Sequence, residues 1–262
     1  MKVLVVSNSP HRDGLCMKLA REASEGVKEV GGEVELITLA EKRIGPCLAC
    51  ENPSCWEKME CRVEDDALEL RRKLNSSDAL VFMAPVYFLS VNGLAKDFMD
   101  RMRYYGEKGK PALAIAVAGG TGKGCLSALQ DICRWLIILG FRPISPLPVT
   151  RYNLDVALIE ARSRSKWLTK LKPQPFSSLA ERIVYYESLP YMKHGMADEI
   201  IYLAREAIEG IVRLGKPDLA AEPRRKLEIG EALLRVGRFN DGLKLVTEAQ
   251  EESMEIFNSI TR

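Results

Sequence analysis

The chain has 262 residues, 47% hydrophobic and 28% charged, with a formal net charge of +2. That length buries a full core without staples, and the balanced charge excludes a global pull toward nucleic acid or an acidic membrane. The composition also excludes disordered, collagen-like and low-complexity classes. The longest uncharged run, residues 79–95, is broken by Pro85, Asn92 and Gly93, so no membrane span is expected. Only four apolar residues separate Lys2 from Ser7, too few for a signal-peptide core, so the expected location is the cytoplasm.

Residues 2–7 form a nearly continuous apolar run, as a central strand of a parallel sheet does. Residues 8–14 make a turn. Leu15, Leu19, Ala23 and Val27 then follow helical spacing until Gly31-Gly32 stops it. Val34, Leu36 and Thr38 alternate like a second strand. Residues 44–64 form an irregular loop, and Asp65-Asp66 is placed to cap a helix running to about Asn75. A third buried strand is expected over 79–84, a helix over 93–103 and a fourth strand over 112–118. A helix over 126–139 closes at Gly140. Residues 144–149 read as a fifth strand, interrupted by proline and therefore expected at a sheet edge.

Strands alternating with helices imply βαβ units and a parallel sheet wound on both faces. Five strands within residues 1–150 match the flavodoxin-like count better than the six of a full dinucleotide-binding fold. The expected architecture is α/β: a flavodoxin-like, doubly wound, five-stranded parallel domain over 1–150, then a helical extension over 151–262. In the extension, residues 151–172 are basic and helix-prone, and Pro173-Gln174-Pro175 breaks them. Ile200, Leu203, Ala204, Ala207, Ile208, Ile211 and Leu214 make an apolar stripe that Gly215 and Pro217 end. Pro223 is expected to open the next helix at its first position, and a last helix runs from about Asp241 to Ile260. Charges of alternating sign mark solvated faces, so the extension reads as a cover or an oligomerisation surface.

In such sheets ligands bind beyond the carboxyl ends of the strands, which directs attention to residues 7–15, 84–93 and 118–125. Ser7-Asn8-Ser9-Pro10-His11-Arg12-Asp13-Gly14 leads into a helix start, where free N–H groups and the helix dipole suit a phosphate monoester. A plain strand-to-helix turn is the alternative. Gly119-Gly120-Thr121-Gly122-Lys123-Gly124 fails the nucleotide P-loop pattern, but its backbone can approach a flat ligand closely. The seven cysteines are odd in number, so a disulfide framework is not expected. Cys16, Cys125 and Cys133 read as small buried residues. Cys47, Cys50, Cys55 and Cys61 stand as Cys-x2-Cys-x4-Cys-x5-Cys in one loop. Four thiolates can complete an iron–sulfur cube or a zinc tetrahedron, and bare thiols or a Cys47/Cys50 dithiol are alternatives. His11 and His194 are the only histidines, and no Ser/His/Asp or paired-carboxylate constellation supports hydrolysis.

Ala84-Pro85-Val86-Tyr87-Phe88, followed by the run from Val91-Asn92-Gly93 to Asp100-Arg101, resembles the signature of the NADPH-dependent FMN reductases. The cysteine run followed by Asp65-Asp66 resembles the iron–sulfur flavoprotein branch of that group. The resemblance covers residues 1–150 and implies a flavodoxin-like fold binding FMN. Carried over, it places Ser9, His11, Arg12, Leu15 and Cys16 around the FMN phosphate. It places Pro85, Val86, Tyr87 and Phe88 beside the flavin ring and ribityl chain, and Gly119, Gly120, Thr121 and Gly124 along the ring's other edge. It makes Cys47, Cys50, Cys55 and Cys61 ligands of a [4Fe–4S] cluster, with zinc as the alternative. This chain departs from the pattern: His11 replaces an Arg, Leu15 an Asn and Cys16 a Thr, and four residues instead of two separate the second and third cysteines.

The implied function is an FMN- and cluster-containing oxidoreductase that moves electrons from a reduced donor, ferredoxin-like or NAD(P)H, to an acceptor. One alternative is an NAD(P)H-dependent FMN or quinone reductase whose cysteine loop is structural or zinc-bound. Another is a non-enzymatic, redox-sensing binding protein. The resemblance also implies a homo-oligomer, because the family's cluster loop works near a neighbouring subunit's flavin.

Overall fold

The apolar run at residues 2–7 becomes the centre of a sheet in the computed structural model, which describes residues 1–50, 55, 58–104, 106 and 108–261. Strand β1 (Lys2–Ser7) is followed by helix α1 (Leu15–Lys28), β2 (Glu33–Thr38) and a 3-10 turn at Leu39–Glu41. Then come α2 (Ala67–Ser76), β3 (Ala79–Tyr87), β4 (Ser90–Val91) and α3 (Gly93–Arg101). The domain continues through β5 (Pro111–Ala118), α4 (Cys125–Leu139), β6 (Arg142–Pro143) and β7 (Leu147–Thr150). The parallel strands run in the order β2-β1-β3-β5-β6, the expected flavodoxin-like, doubly wound arrangement. Val3, Val5, Leu80, Phe82, Leu113 and Ile115 are fully buried, which is why these strands read as unbroken apolar runs. The Phe82 ring lies 5.5 Å from Phe98 and 4.8 Å from Trp135, binding α3 and α4 to the sheet.

The structure differs from the sequence reading in four places. On β2 the buried residue is Ile37, while Leu36 is 39% exposed, because adjacent residues point to opposite faces and the covered face takes Ile37. The expected single strand over 144–149 is split: β6 takes the parallel edge and β7 pairs with β5. Pro143, Pro146 and Pro148 have no N–H to donate, so one continuous ladder cannot form. Asp66 does not cap α2 with its side chain. Instead, its Oδ2 accepts from Arg43 N at 2.7 Å, and Asp65 Oδ1 accepts from Ala67 N at 3.0 Å.

The fourth difference lies in the extension, which forms α5 (Leu154–Leu168), α6 (Leu179–Ser188), α7 (Met196–Arg213), α8 (Pro217–Arg235) and α9 (Phe239–Thr261). Pro217, not Pro223, opens α8, since the first helical position needs no N–H. Pro223 lies inside α8 and is buried, so its packing offsets the missing hydrogen bond.

Contacts divide the chain into two compact units. The first holds residues 1–117, 124–149 and 155–192, and so includes α6 and all of α5 but its first residue. Within it α5 crosses α1 closely: a Cβ on Gly26 would lie 2.1 Å from Arg162 O. Residues 174–185 are bound to β6. Arg142 stacks between Phe176 (4.4 Å) and Tyr185 (4.6 Å), and the Tyr185 hydroxyl donates to Pro143 O at 2.7 Å. The second unit holds residues 118–123, 150–154 and 193–262. In it α8 and α9 approach through paired glycines, with a Cβ on Gly242 falling 2.9 Å from Gly230 O. Among the described residues no helix is long and apolar enough to cross a membrane.

Candidate functional site

At the carboxyl end of β1, Ser7 and Asn8 are fully buried, and Ser7 Oγ and Asn8 Oδ1 have no hydrogen-bond partner. Asn8 Nδ2 donates to Met83 O at 2.7 Å, and Asn92 Nδ2 donates to Asn8 O at 2.9 Å. Asn92 Oδ1 also accepts from Ala95 N at 3.4 Å, capping α3. These two asparagines tie β1, β3 and α3 together below the site. Sequence reading missed their roles; the available signal was Asn directly before Gly93 at a helix start.

The loop that follows presents main chain. Ser9 is 3% exposed, and its Oγ accepts from His11 N at 3.1 Å. Gly14 precedes α1 in extended conformation, and no side chain caps the helix. The first N–H groups of α1 therefore have neither an intrahelical acceptor nor a side-chain cap, at the positive end of the helix dipole. His11 and Arg12 are exposed, and Arg12 Nε lies 3.7 Å from Glu41 Oε1. Leu15 is half-buried. Cys16 is buried, and burial pushes its thiol up to about 12, so the side chain is a neutral packing group. Of the five expected phosphate-loop residues, Ser9 carries a buried hydroxyl, His11 and Arg12 are exposed, and Leu15 and Cys16 present backbone N–H groups at the helix start. Uncapped helix N–H groups beside the Ser9 hydroxyl fit a phosphate-bearing cofactor such as FMN.

The next loop is a strained hairpin. Tyr87 pairs with Ser90 across a two-residue turn, and Phe88 and Leu89 both adopt left-handed backbone, with φ of 48° and 67°. Such turns favour Asn and Gly, and a non-glycine residue there costs about 1–3 kcal/mol. Phe88 is wholly exposed at the tip. The hairpin is held by Ser90 Oγ, which donates to Asp131 Oδ2 at 2.6 Å. Gly124 makes room for it, since a Cβ there would lie 2.3 Å from Leu89 Cα. A Cβ on Gly124 would also lie 2.9 Å from Val86 Cγ1, while Pro85 is buried and its carbonyl accepts from Asn92 N at 3.1 Å. In the second unit, Gly119, Gly120 and Thr121 are exposed, and a Cβ on Gly120 would meet open space.

The cysteine loop is anchored by a side chain that sequence reading used only as a motif marker. Arg101 is 1% exposed; its guanidinium donates to Asp65 Oδ2 at 2.9 Å, to Asp65 Oδ1 at 3.0 Å and to Gly45 O at 2.8 Å. It also donates to Cys61 Sγ at 3.3 Å. One group thereby holds both ends of the loop. Burial alone would raise the Cys61 pKa, but the Val63 N–H and Arg101 outweigh it and hold the thiol below its ordinary value. Burial would likewise raise Asp65, but Arg101 and the N–H groups of Gly45 and Ala67 hold it below the usual carboxylate range. Cys47 is exposed, and Cys50 and Cys55 are half-buried. Residues 51–54, 56 and 57 lie outside the described residues. Among the described residues, no three His, Cys, Asp or Glu side chains are grouped to hold a metal ion. The expected ligand set of Cys47, Cys50, Cys55 and Cys61 suits a thiophilic centre in its chemistry, and among the described residues its sulfurs are not grouped around one. The Cys61 sulfur is turned to Arg101. His194 is exposed, as expected.

Comparison with known proteins agrees with this geometry. The family of NADPH-dependent FMN reductases matches residues 1–150. An iron–sulfur flavoprotein of Methanocaldococcus jannaschii is 34% identical over 142 residues, covering 53% of this chain and 72% of that protein. An iron–sulfur flavoprotein of Archaeoglobus fulgidus is 34% identical over 149 residues, covering 55% of this chain and 75% of that protein. Among solved structures, a flavone reductase superposes with a TM-score of 0.52 at 20% identity, over 65% of this chain and 62% of its own. An NAD(P)H:quinone oxidoreductase from Methanothermobacter marburgensis gives 0.50 at 20%, over 64% of this chain and 96% of its own. Those two likenesses show the fold. With the sheet order, the phosphate-type loop and the family match in hand, the chain belongs to the flavodoxin-like NADPH-dependent FMN reductase and iron–sulfur flavoprotein family, and is a flavin-dependent oxidoreductase.

Proposed function

We propose that this chain is an NAD(P)H-dependent FMN oxidoreductase that reduces a flavin or quinone acceptor, with a cysteine loop that is structural or zinc-bound. The observation that carries the reading is the uncapped start of α1 beside the Ser9 hydroxyl, within the residues that match the reductase family. Ser9 and the N–H groups of Leu15 and Cys16 bind the phosphate, with His11 and Arg12 adding charge. Tyr87 and Phe88 on the hairpin, and Gly119, Gly120 and Thr121 on the loop after β5, are the exposed residues assigned to the flavin ring. When bound, FMN supplies the capacity to take a hydride and release electrons singly or in pairs. The chain orients that group. Steady-state oxidation of NADPH or NADH by FMN-loaded protein, with a quinone or free flavin as acceptor, tests the reading; no turnover with either nucleotide sinks it.

A second reading is favoured by the names of the two relatives and by the seat that Arg101 gives Cys61. In it Cys47, Cys50, Cys55 and Cys61 close around a [4Fe–4S] cluster, and a ferredoxin-like protein is the donor. Iron, sulfide and zinc assays on anaerobically purified protein separate the two, since a cube requires about four irons per chain. Protein that binds neither flavin nor iron, yet binds a partner according to its thiol state, supports the redox-sensing alternative. The reading includes self-association, which light scattering on the purified chain tests.

A further inference from the structure

The second compact unit contains, besides its helices, the loop 118–123 that leaves the carboxyl end of β5. Helical packing alone gives that loop no reason to be there. Leu203, fully buried on α7, places Cδ2 2.5 Å from where a Cβ of Gly122 would stand. Thr150 Cγ2 and Tyr152 Cε2 each lie 3.5 Å from the same point. The Tyr152 hydroxyl donates to Thr121 O at 3.4 Å. Tyr152 is itself fixed: Phe257 on α9 meets its ring edge-on at 5.1 Å, and Arg213 on α7 donates to its carbonyl. Gly210 admits that carbonyl, since a Cβ there would lie 2.9 Å from Tyr152 O. Gly122 is left-handed, with φ +86°, while Gly119, Gly120 and Thr121 stay exposed. One side of the loop is pinned by helices and the other is free.

We infer that the helical extension is a brace that sets the flavin-edge loop, with Leu203 and Tyr152 as its positioning residues. The inference rests on the reading of Gly119, Gly120 and Thr121 as flavin-side residues. A glycine-rich loop loses more backbone freedom on ordering than any other sequence. If it were loose, that loss would be charged against each binding event; held in advance by α7 and α9, it is not. The extension then acts on affinity without touching the cofactor.

The test uses the full-length chain, with Leu203→Ala, Tyr152→Phe and, as control, Val246→Ala. Val246 is fully buried on α9 against Gly230, away from the loop, so its truncation loosens the helices alone. Thermal melting, FMN titration of the apoprotein by flavin fluorescence, and the flavin reduction potential are measured for each. Leu203→Ala and Tyr152→Phe weaken FMN binding about tenfold and shift the potential, as expected for a loop that must order on binding. Val246→Ala lowers the melting temperature and leaves FMN binding within twofold. Equal FMN losses in Leu203→Ala and Val246→Ala, or no loss in Tyr152→Phe, overturn the brace. Should Leu203→Ala fail to fold, Tyr152→Phe decides alone, because it removes one oxygen. A wild-type chain that binds no FMN overturns the functional reading beneath the inference and is recognised separately.

Discussion

Two loops of the sheet unit are built on opposite plans. Residues 8–16 offer backbone N–H groups and a serine hydroxyl, on a base tied together by Asn8 and Asn92. Residues 44–64 offer side-chain sulfurs, and Arg101 holds both ends of that loop. A site made of main chain tolerates changes of side chain, because every residue supplies the same donor. A site made of side chains does not, since four sulfurs must converge and each extra residue between them moves one. On the proposed reading, Leu15 and Cys16, though unlike the family's residues, keep the backbone donors of the phosphate-type loop.

The contrast is broken most forcefully at Arg101. Arg101→Leu strands the Asp65 carboxylate in the interior and should destabilise the chain by about 3–5 kcal/mol, read as a lower denaturant midpoint. It should also free the cysteine loop for proteolysis while leaving FMN affinity in the surviving folded protein little changed. Ser9→Ala is the counterpart in the first loop. It should weaken FMN by about 1.5–3 kcal/mol, the worth of a hydrogen bond to a charged group, with no change in melting temperature. Protonation tests the same clamp without mutation. Asp65 is held below its unfolded value, so its contribution is present above about pH 4 and is lost as pH falls through its folded pKa. Asp65→Asn should flatten the acid limb of a stability–pH curve. Phe88→Asn relieves a left-handed backbone and should raise stability by about 1 kcal/mol in thermal melts. Leu15→Ala sharpens the comparison by its smallness: FMN affinity should stay within about twofold, because the backbone donor remains.

The sheet was legible because Val3–Val6, Leu80–Phe82 and Ala112–Ala116 are buried on both faces and contain no polar interruptions. The phosphate-type loop was legible from residues adjacent in the chain. What escaped was long-range. Asn92 reaches Asn8 across 84 residues, and Arg101 reaches Gly45 across 56. No periodicity encodes such pairs. Pro223 misled because proline marks a helix start only when no better-placed proline precedes it, and Pro217 does. The destination of residues 155–192 was hidden for the same reason: Arg142 finds Phe176 and Tyr185 only once the chain has turned back.

That return has a practical consequence. The family match ends at residue 150, an inviting place to trim the chain for expression. Yet β6 is an outer strand, and the Tyr185 hydroxyl occupies its Pro143 carbonyl while Gln174 N takes that of Gly109. Exposed strand edges template pairing with other chains. A fragment cut at 150 keeps the matched residues and bares that margin, so it should emerge as aggregate. One cut after Met192 keeps its shield.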